Sequence, residues 1–551
     1  MEKFLKYYNT LKYVKPSQLV YRVWRHFFRP KTREVHVVTA ESLNFGSWVK
    51  HELYEPKLLS DQSVSFLNET GIIDSVESWN SPTHSKLWLY NLHYFDELNS
   101  FGAHKKRALH DGWLKRWVRE NPPGAGNGWE PYPISLRSVN WIKAFLSGLQ
   151  PDAELNKSLA LQIDHLSQDL EKHLLGNHLF VNAKSLIFGG CYFQGEAADR
   201  WLKCGLSIYK RELNEQVLKD GGNFELTPMY HAIMLVDLLD LINLSRVYPN
   251  RIPDSIVIKT QQVANKMITW LQRMSHAQKE ISFFNDSAMG VAPENSCIFD
   301  YAEKLGLSSK ALSVGKEYKV FDMPDSGYVS VHSEELTLIA DLAAIGPDYI
   351  PGHAHADTLS FEMSLGGQRL FVNSGISEYG LSKNRLIQRK TLSHNTVSVD
   401  SLDSTEVWSG FRVARRARIL NRFVLNQSSD GICFGATHDG FRKQGCPVLH
   451  RREWRLCKNE LIVKDFLEGS WKTSVGFLHL HPDVKLLNFS SSMALLQVGE
   501  YHVELKVEGG KINVVPSTYH PRFGVVENNE KLELSFTKDQ MSSYIKWEKV
   551  A

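Results

Sequence analysis

The chain has 551 residues, 42% hydrophobic and 23% charged, with a formal net charge of +3. That length allows two or three domains around large cores, and so small a charge excess does not require nucleic acid as a partner. No run of about 18 apolar residues occurs, which excludes a spanning helix, and the six cysteines, none in CxxC spacing, fit reduced thiols used in packing.

Residues 1–33 hold nine Lys and Arg against one acid, Glu2. Ser17 can cap a helix on which Leu19, Val20, Val23, Trp24, Phe27 and Phe28 form one stripe, with Arg22, Arg25 and Arg29 on the other side. Such a helix either touches a membrane or a polyanion, or packs on its own protein with its basic face in water. The second reading is the simpler expectation. Charges interrupt the apolar residues and no small-residue cleavage site follows, so the segment does not read as a secretory signal. A cytoplasmic location is expected, with the periplasm or cell envelope as the alternative.

From about Lys105 to Leu307, apolar residues recur at three- and four-residue spacing, over 134–149, 155–175, 197–218, 229–247 and 256–274. Short loops rich in Gly, Asn and Pro separate these runs, as in antiparallel helix pairs packed into a bundle, solenoid or toroid. Near Lys319 the texture changes. Short β-rich runs at 327–332, 336–342, 358–365, 396–399, 460–466, 501–507 and 531–536 predict a large antiparallel sandwich. The chain thus divides into a basic arm (1–50), a helical domain (51–318) and a β-domain (319–551).

The β-domain holds Gly352-His353-Ala354-His355-Ala356-Asp357 and Thr391-Leu392-Ser393-His394-Asn395-Thr396-Val397. If the strand predicted from Thr358 begins a few residues earlier, His353 and His355 share one face. With His394 they suggest a metal site, an acid–base site, or histidines hydrogen-bonded in a β-core. Three polar patches in the helical half could face them across an inter-domain cleft. They are the aromatic loop from Trp129 through Tyr132 to Arg137, the run Gly176-Asn177-His178 where Asn177 reads as the end of a helix, and Gly221 to His231, where Thr227-Pro228 marks a helix start.

Taken in order, Asn177-His178, Tyr230-His231, His353-Ala354-His355 and Ser393-His394-Asn395-Thr396-Val397 resemble the heparinase II/III polysaccharide lyases and their alginate lyase relatives. The resemblance runs from about Trp88 to Val399. It implies a multidomain α+β chain, an N-terminal incomplete (α/α) toroid followed by a C-terminal antiparallel β-sandwich. It also implies β-elimination across a glycosidic bond on C4 of a uronic acid. The C5 proton there is weakly acidic because the adjacent carboxylate opposes a carbanion. An enzyme must offset that charge, take the proton and protonate the leaving oxygen.

By this resemblance Asn177 offsets the carboxylate with help from His178. Tyr230 protonates the leaving oxygen and, for one C5 epimer, also takes the C5 proton; His353 faces the opposite side of the sugar as base for the other epimer. His355 and His394 match two metal ligands. Where the family usually carries an Asp as the third, this chain has Asn373, whose amide has no charge to offset a divalent ion. Zinc or another divalent metal is therefore expected to be weakly bound or absent, and no organic cofactor is expected. Trp129 and Tyr132 can offer flat faces to sugars. Arg137, Tyr379, Arg385 and Arg389 are expected to hold the acidic chain, since guanidinium pairs with carboxylate at two points.

The expected function is a lyase acting on an acidic, uronate-containing polysaccharide, a bacterial surface or capsular glycan. One alternative is a glycan-binding or assembly protein of exopolysaccharide synthesis with little catalysis. The other is a glycoside hydrolase on an (α/α) toroid, which needs two opposed carboxyls that Glu130, Glu225 and Asp357 do not obviously supply.

Overall fold

The computed structural model describes residues 2–28, 30–32, 35–39, 47–276, 280–308, 312, 314–428 and 431–550, so Arg29 lies outside the described residues. Two short helices, α1 (Glu2–Leu11) and α2 (Pro16–Phe27), form the arm. The helical domain follows with α3 (Lys86–Tyr94), α4 (Arg107–Glu120), α5 (Pro131–Leu146), α6 (Ala153–Gln168), α7 (Gly176–Tyr192), α8 (Glu196–Gln216), α9 (Pro228–Val247), α10 (Asp254–Arg273) and α11 (Asn295–Lys304). Each amphipathic run became a helix because its apolar stripe is buried against its neighbours in one continuous core that includes Trp88, Trp117, Trp141 and Leu238.

One boundary moved. The run expected to continue to Leu175 stops at Gln168, and α7 begins at Gly176. Asn177 therefore opens a helix rather than ending one. From Leu179 to Tyr192 every residue of α7 is buried, against α5, α8 and α9. A helix covered on all sides has no polar face and hence no period to read.

The β-domain begins with a five-stranded antiparallel sheet in chain order: 319–323, 328–332, 336–341, 361–365 and 368–371. Gly366-Gly367, a pair that reads in the sequence as a hairpin turn, has φ of 55° and 81° and joins its last two strands. An eight-stranded sheet carries most of the remaining chain, and a four-stranded sheet holds 397–399, 474–479, 527–536 and 510–519. Phe361 and Met363 of the first sheet share a core with Trp454, Val503 and Ile545 of the second, which gives the sandwich. Leu226, Trp270 and Phe284 of the helical side pack on Met323, Tyr328 and Ile339 and join the two halves.

Two expectations need correction. His353 ends a single 3-10 turn, Pro351–His353, and the next strand starts at Phe361, so strand alternation does not align His353 with His355. The arm packs on its own protein, but with the opposite face turned outward. Arg25 Nη2 lies 2.8 Å from Asp169 and Lys15 Nζ 2.6 Å from Glu215, while Leu19, Val20, Val23, Trp24 and Phe27 are exposed. Carboxylates on the domain beneath, rather than apolar surface, meet the helix. Its start also lies at Pro16, one residue before the predicted Ser17 cap.

Candidate active site

A cleft of about 1090 Å³ lies between the helical domain, the β-domain and the arm. Asn177, His178, Tyr230 and His353 all line it, with Tyr132, Glu225 and Tyr379.

Local backbone geometry delivers the first pair. Leu175 and Gly176 have φ of 65° and 53°, a sharp turn that starts α7 and sets Asn177 in its first turn. At φ of 53° a side chain on Gly176 would be strained, and its Cβ would also meet the tip of the Ile350 side chain at 2.7 Å. Asn177 Nδ2 donates to Tyr132 Oη at 3.1 Å, and His178 Nδ1 lies 3.0 Å from Glu171 Oε1. Burial opposes a charge on His178, but the Glu171 carboxylate outweighs it and raises the imidazole above its usual pKa.

Tyr230 is placed by a helix cap. Thr227 Oγ1 accepts from Tyr230 N at 2.9 Å, and Pro228 occupies the first position of α9, as the sequence indicated. The hydroxyls of Tyr230 and Tyr379 are 3.0 Å apart. Burial pushes both far above the usual phenol pKa; the Tyr379 hydroxyl adds to this for Tyr230 and the Asp286 carboxylate adds to it for Tyr379, against the opposing Arg385 charge and the bond to Tyr230, so both stay protonated at neutral pH.

His353 packs its ring on Tyr230 with centroids 4.1 Å apart. Two rings in contact leave no room for a sugar between them. They share one wall, which corrects the expectation that His353 faces the sugar from the opposite side. Its Nδ1 lies 2.8 Å from Asp286 Oδ2, and its Nε2 3.5 Å from Glu225 Oε2. The Asp286 carboxylate can only accept, so Nδ1 carries a proton; burial raises the Glu225 carboxyl above its usual pKa, and in its protonated form it leaves Nε2 a lone pair.

Asp286 was not recognised in the sequence, yet it organises this wall. It accepts from His353, from His355 Nε2 at 2.8 Å and from both terminal nitrogens of Arg385, with Nη2 at 2.7 Å. Burial would raise its pKa, but the Arg385 charge and the two imidazole bonds hold it well below the carboxylate range. Asn285-Asp286-Ser287 has ordinary turn composition, which is why it carried no signal. Glu171, the partner of His178, was likewise missed.

The expected metal ligands meet in the β-core. His355 Nδ1 and His394 Nε2 are 3.2 Å apart, and Asn373 Oδ1 accepts from Asn395 N at 3.2 Å. Burial lowers His355 to about 4 and His394 further, so both rings are neutral. His394 Nε2–H can donate to His355 Nδ1 without an ion, while His394 Nδ1 and Asn373 Nδ2 are buried with no hydrogen-bond partner among the described residues. The amide oxygen is already committed, and among the described residues no group of three or more His, Cys, Asp or Glu is placed to hold a metal. This donor set does not fit zinc well.

Four of the expected sugar-binding residues are structural instead. Trp129 is buried and donates to Asn121 O at 3.2 Å. Arg137 is fully buried on the Trp117 ring, donating to Gln162, His93 O and Gly128 O. Arg385 is spent on Asp286, and Arg389 ties Ala354 O, Ser409 O and Arg412 O together. A guanidinium with five donors is what such junctions of loops need. Tyr132 and Tyr379 do line the cleft. The arm contributes a wall that the sequence did not reveal: Tyr7, Thr10, Leu11, Val14, Gln18 and Arg22. Arg22 is exposed there and has no ion-pair partner among the described residues.

A family model described as "Heparinase II/III N-terminus" matches residues 89–304, and one described as "Heparinase II/III-like, C-terminal" matches 315–548. A heparin-sulfate lyase of Bacteroides stercoris is 27% identical over 357 residues, 60% of this chain and 50% of that protein. Another, of Pedobacter heparinus, is 26% identical over 324 residues, 52% of this chain and 47% of that protein. The chain thus spans about half the length of the curated relatives it matches. Among solved structures, a heparinase III superposes with a TM-score of 0.66 at 15% identity, over 97% of this chain and 90% of that one. The heparan sulfate lyase of Pedobacter heparinus gives 0.54 at 16%, over 97% and 88%. These superpositions establish the fold, an (α/α) toroid followed by an antiparallel β-sandwich.

Proposed function

Because the chain belongs to the heparinase II/III family, we propose that it is a polysaccharide lyase that cleaves a uronate-containing acidic polysaccharide by β-elimination. The observation that carries this reading is convergence. Asn177, His178, Tyr230 and His353 come from three distant segments and line one cleft.

Asn177 Nδ2, which donates to Tyr132 in the free protein, turns to the uronate carboxylate and offsets the charge that opposes loss of the C5 proton. His178, held toward its charged form by Glu171, supports it. His353 accepts the C5 proton at Nε2 while Asp286 fixes its tautomer and stabilises the imidazolium that forms. Tyr230, protonated at rest, gives its proton to the C4 oxygen as the C4–O bond breaks and the C4–C5 double bond forms. Because His353 and Tyr230 share one wall, the C5 proton and the C4 oxygen are handled from the same face of the sugar, which selects one C5 epimer. No step is assigned to a metal, and we propose that zinc is held weakly or not at all at His355, Asn373 and His394.

The test is a panel of acidic polysaccharides, bacterial surface and capsular glycans included, followed by the ultraviolet absorbance of an unsaturated uronate. New absorbance supports elimination. Fresh reducing ends without absorbance would assign hydrolysis instead, and binding without any product would assign a glycan-assembly role.

A further inference from the structure

Both helices of the arm are mounted with their apolar faces outward. On α2, Leu19, Val20, Val23, Trp24 and Phe27 occupy one face and are exposed, Trp24 by 55% and Phe27 by 80%. On the opposite face Gln18 is buried, and Arg25 lies 2.8 Å from Asp169 and 2.7 Å from His173 Nε2. On α1 the arrangement repeats. Phe4 and Tyr8, at i and i+4, are exposed, Phe4 by 74% and Tyr8 by 59%, while Leu11 beyond them borders the cleft. Thr10 Oγ1, on the other side, donates to Val413 O at 3.1 Å, and Lys6 Nζ lies 3.8 Å from Glu406. A helix whose outer face met only water would show the reverse pattern.

We propose that these two stripes seat the arm on an anionic phospholipid surface. Charge selects this occupant: from Lys3 to Arg33 there is no acid, and while Lys6, Lys15 and Arg25 pair with carboxylates beneath the arm, Lys3, Lys12 and Lys31 are exposed. An apolar face rich in Trp, Phe and Tyr, with lysines able to reach headgroup phosphates from its edge, is the chemistry of an interfacial helix. The same helices wall the cleft, so docking sets the cleft alongside the membrane plane. This goes beyond the elimination reading and stands on different residues.

The test sediments the full chain with vesicles of phosphatidylcholine alone and of phosphatidylcholine mixed with phosphatidylglycerol. Binding to the mixed vesicles is expected to be about ten-fold tighter or more, and to weaken with salt. Trp24→Glu with Phe27→Glu should cut that binding about ten-fold, as should Phe4→Glu with Tyr8→Glu, with thermal unfolding unchanged. Failure to bind either vesicle would overturn the proposal, and this wild-type comparison decides even where a variant misfolds. Equal binding of both double variants would also overturn it. So would a concentration-dependent dimer abolished by the same substitutions, which would assign the stripes to a second copy of the chain.

Discussion

Replacing Tyr230 by Phe removes one oxygen and leaves the rest of the wall in place. The ring keeps its contact with His353 at 4.1 Å, and the bond to the Tyr379 hydroxyl at 3.0 Å is lost. Because both hydroxyls border the cleft, water can replace that bond, and stability should fall by no more than about 0.5–1.5 kcal/mol. Losing a general acid costs about 10²–10⁴-fold in turnover. At about 1.36 kcal/mol per decade, that raises the barrier by about 2.7–5.4 kcal/mol. The rate effect should therefore exceed the stability effect, with KM little changed. The assay is initial ultraviolet rates on whichever panel polysaccharide is cleaved, with thermal unfolding in parallel. Tyr379→Phe is the control, since it breaks the same hydrogen bond but leaves the Tyr230 proton; it should lose less than about ten-fold. Turnover of Tyr230→Phe within a few-fold of wild type, or a larger loss in Tyr379→Phe, would refute the assignment.

Arg22→Ala should raise KM by about three- to ten-fold with kcat nearly unchanged, because its charge faces the cleft away from the reacting wall; an unchanged KM would remove the arm from substrate binding. Asp286→Asn leaves Arg385 buried without its counter-charge and should cost about 3–5 kcal/mol in chemical unfolding, whereas a loss below about 1 kcal/mol would contradict the buried network. For His178 the folded pKa is raised, so its pairing with Glu171 stabilises fully below about pH 6.5 and is lost as pH rises through the raised value. The stability gap between wild type and Glu171→Gln should accordingly narrow from pH 6 to 9 in thermal unfolding, and a constant gap would count against the pair. Elemental analysis after dialysis should find substoichiometric zinc, and Asn373→Asp should raise occupancy; one tightly held zinc per wild-type chain would show that the amide suffices.

Much of the architecture was determined by sequence alone, because amphipathic period and turn chemistry are local. The runs at 229–247 and 256–274 and the Gly366-Gly367 hairpin needed no knowledge of their neighbours, and Thr227-Pro228 placed Tyr230 at a helix start before any fold was known. The ordered motifs around Asn177, Tyr230 and His353 likewise marked which residues would meet. Tertiary structure alone decided what each charge was spent on. Arg137, Arg385 and Arg389 look the same in sequence as substrate-binding arginines, but backbone carbonyls and Asp286 claim them in the fold. The buried α7 lost its period because it is covered all round, and the arm reversed its faces because Asp169 and Glu215 lay beneath it. A sequence states which side of an element is apolar; what lies against that side depends on segments hundreds of residues away, and their packing decides whether a polar group becomes a brace, a wall of the cleft or part of the chemistry.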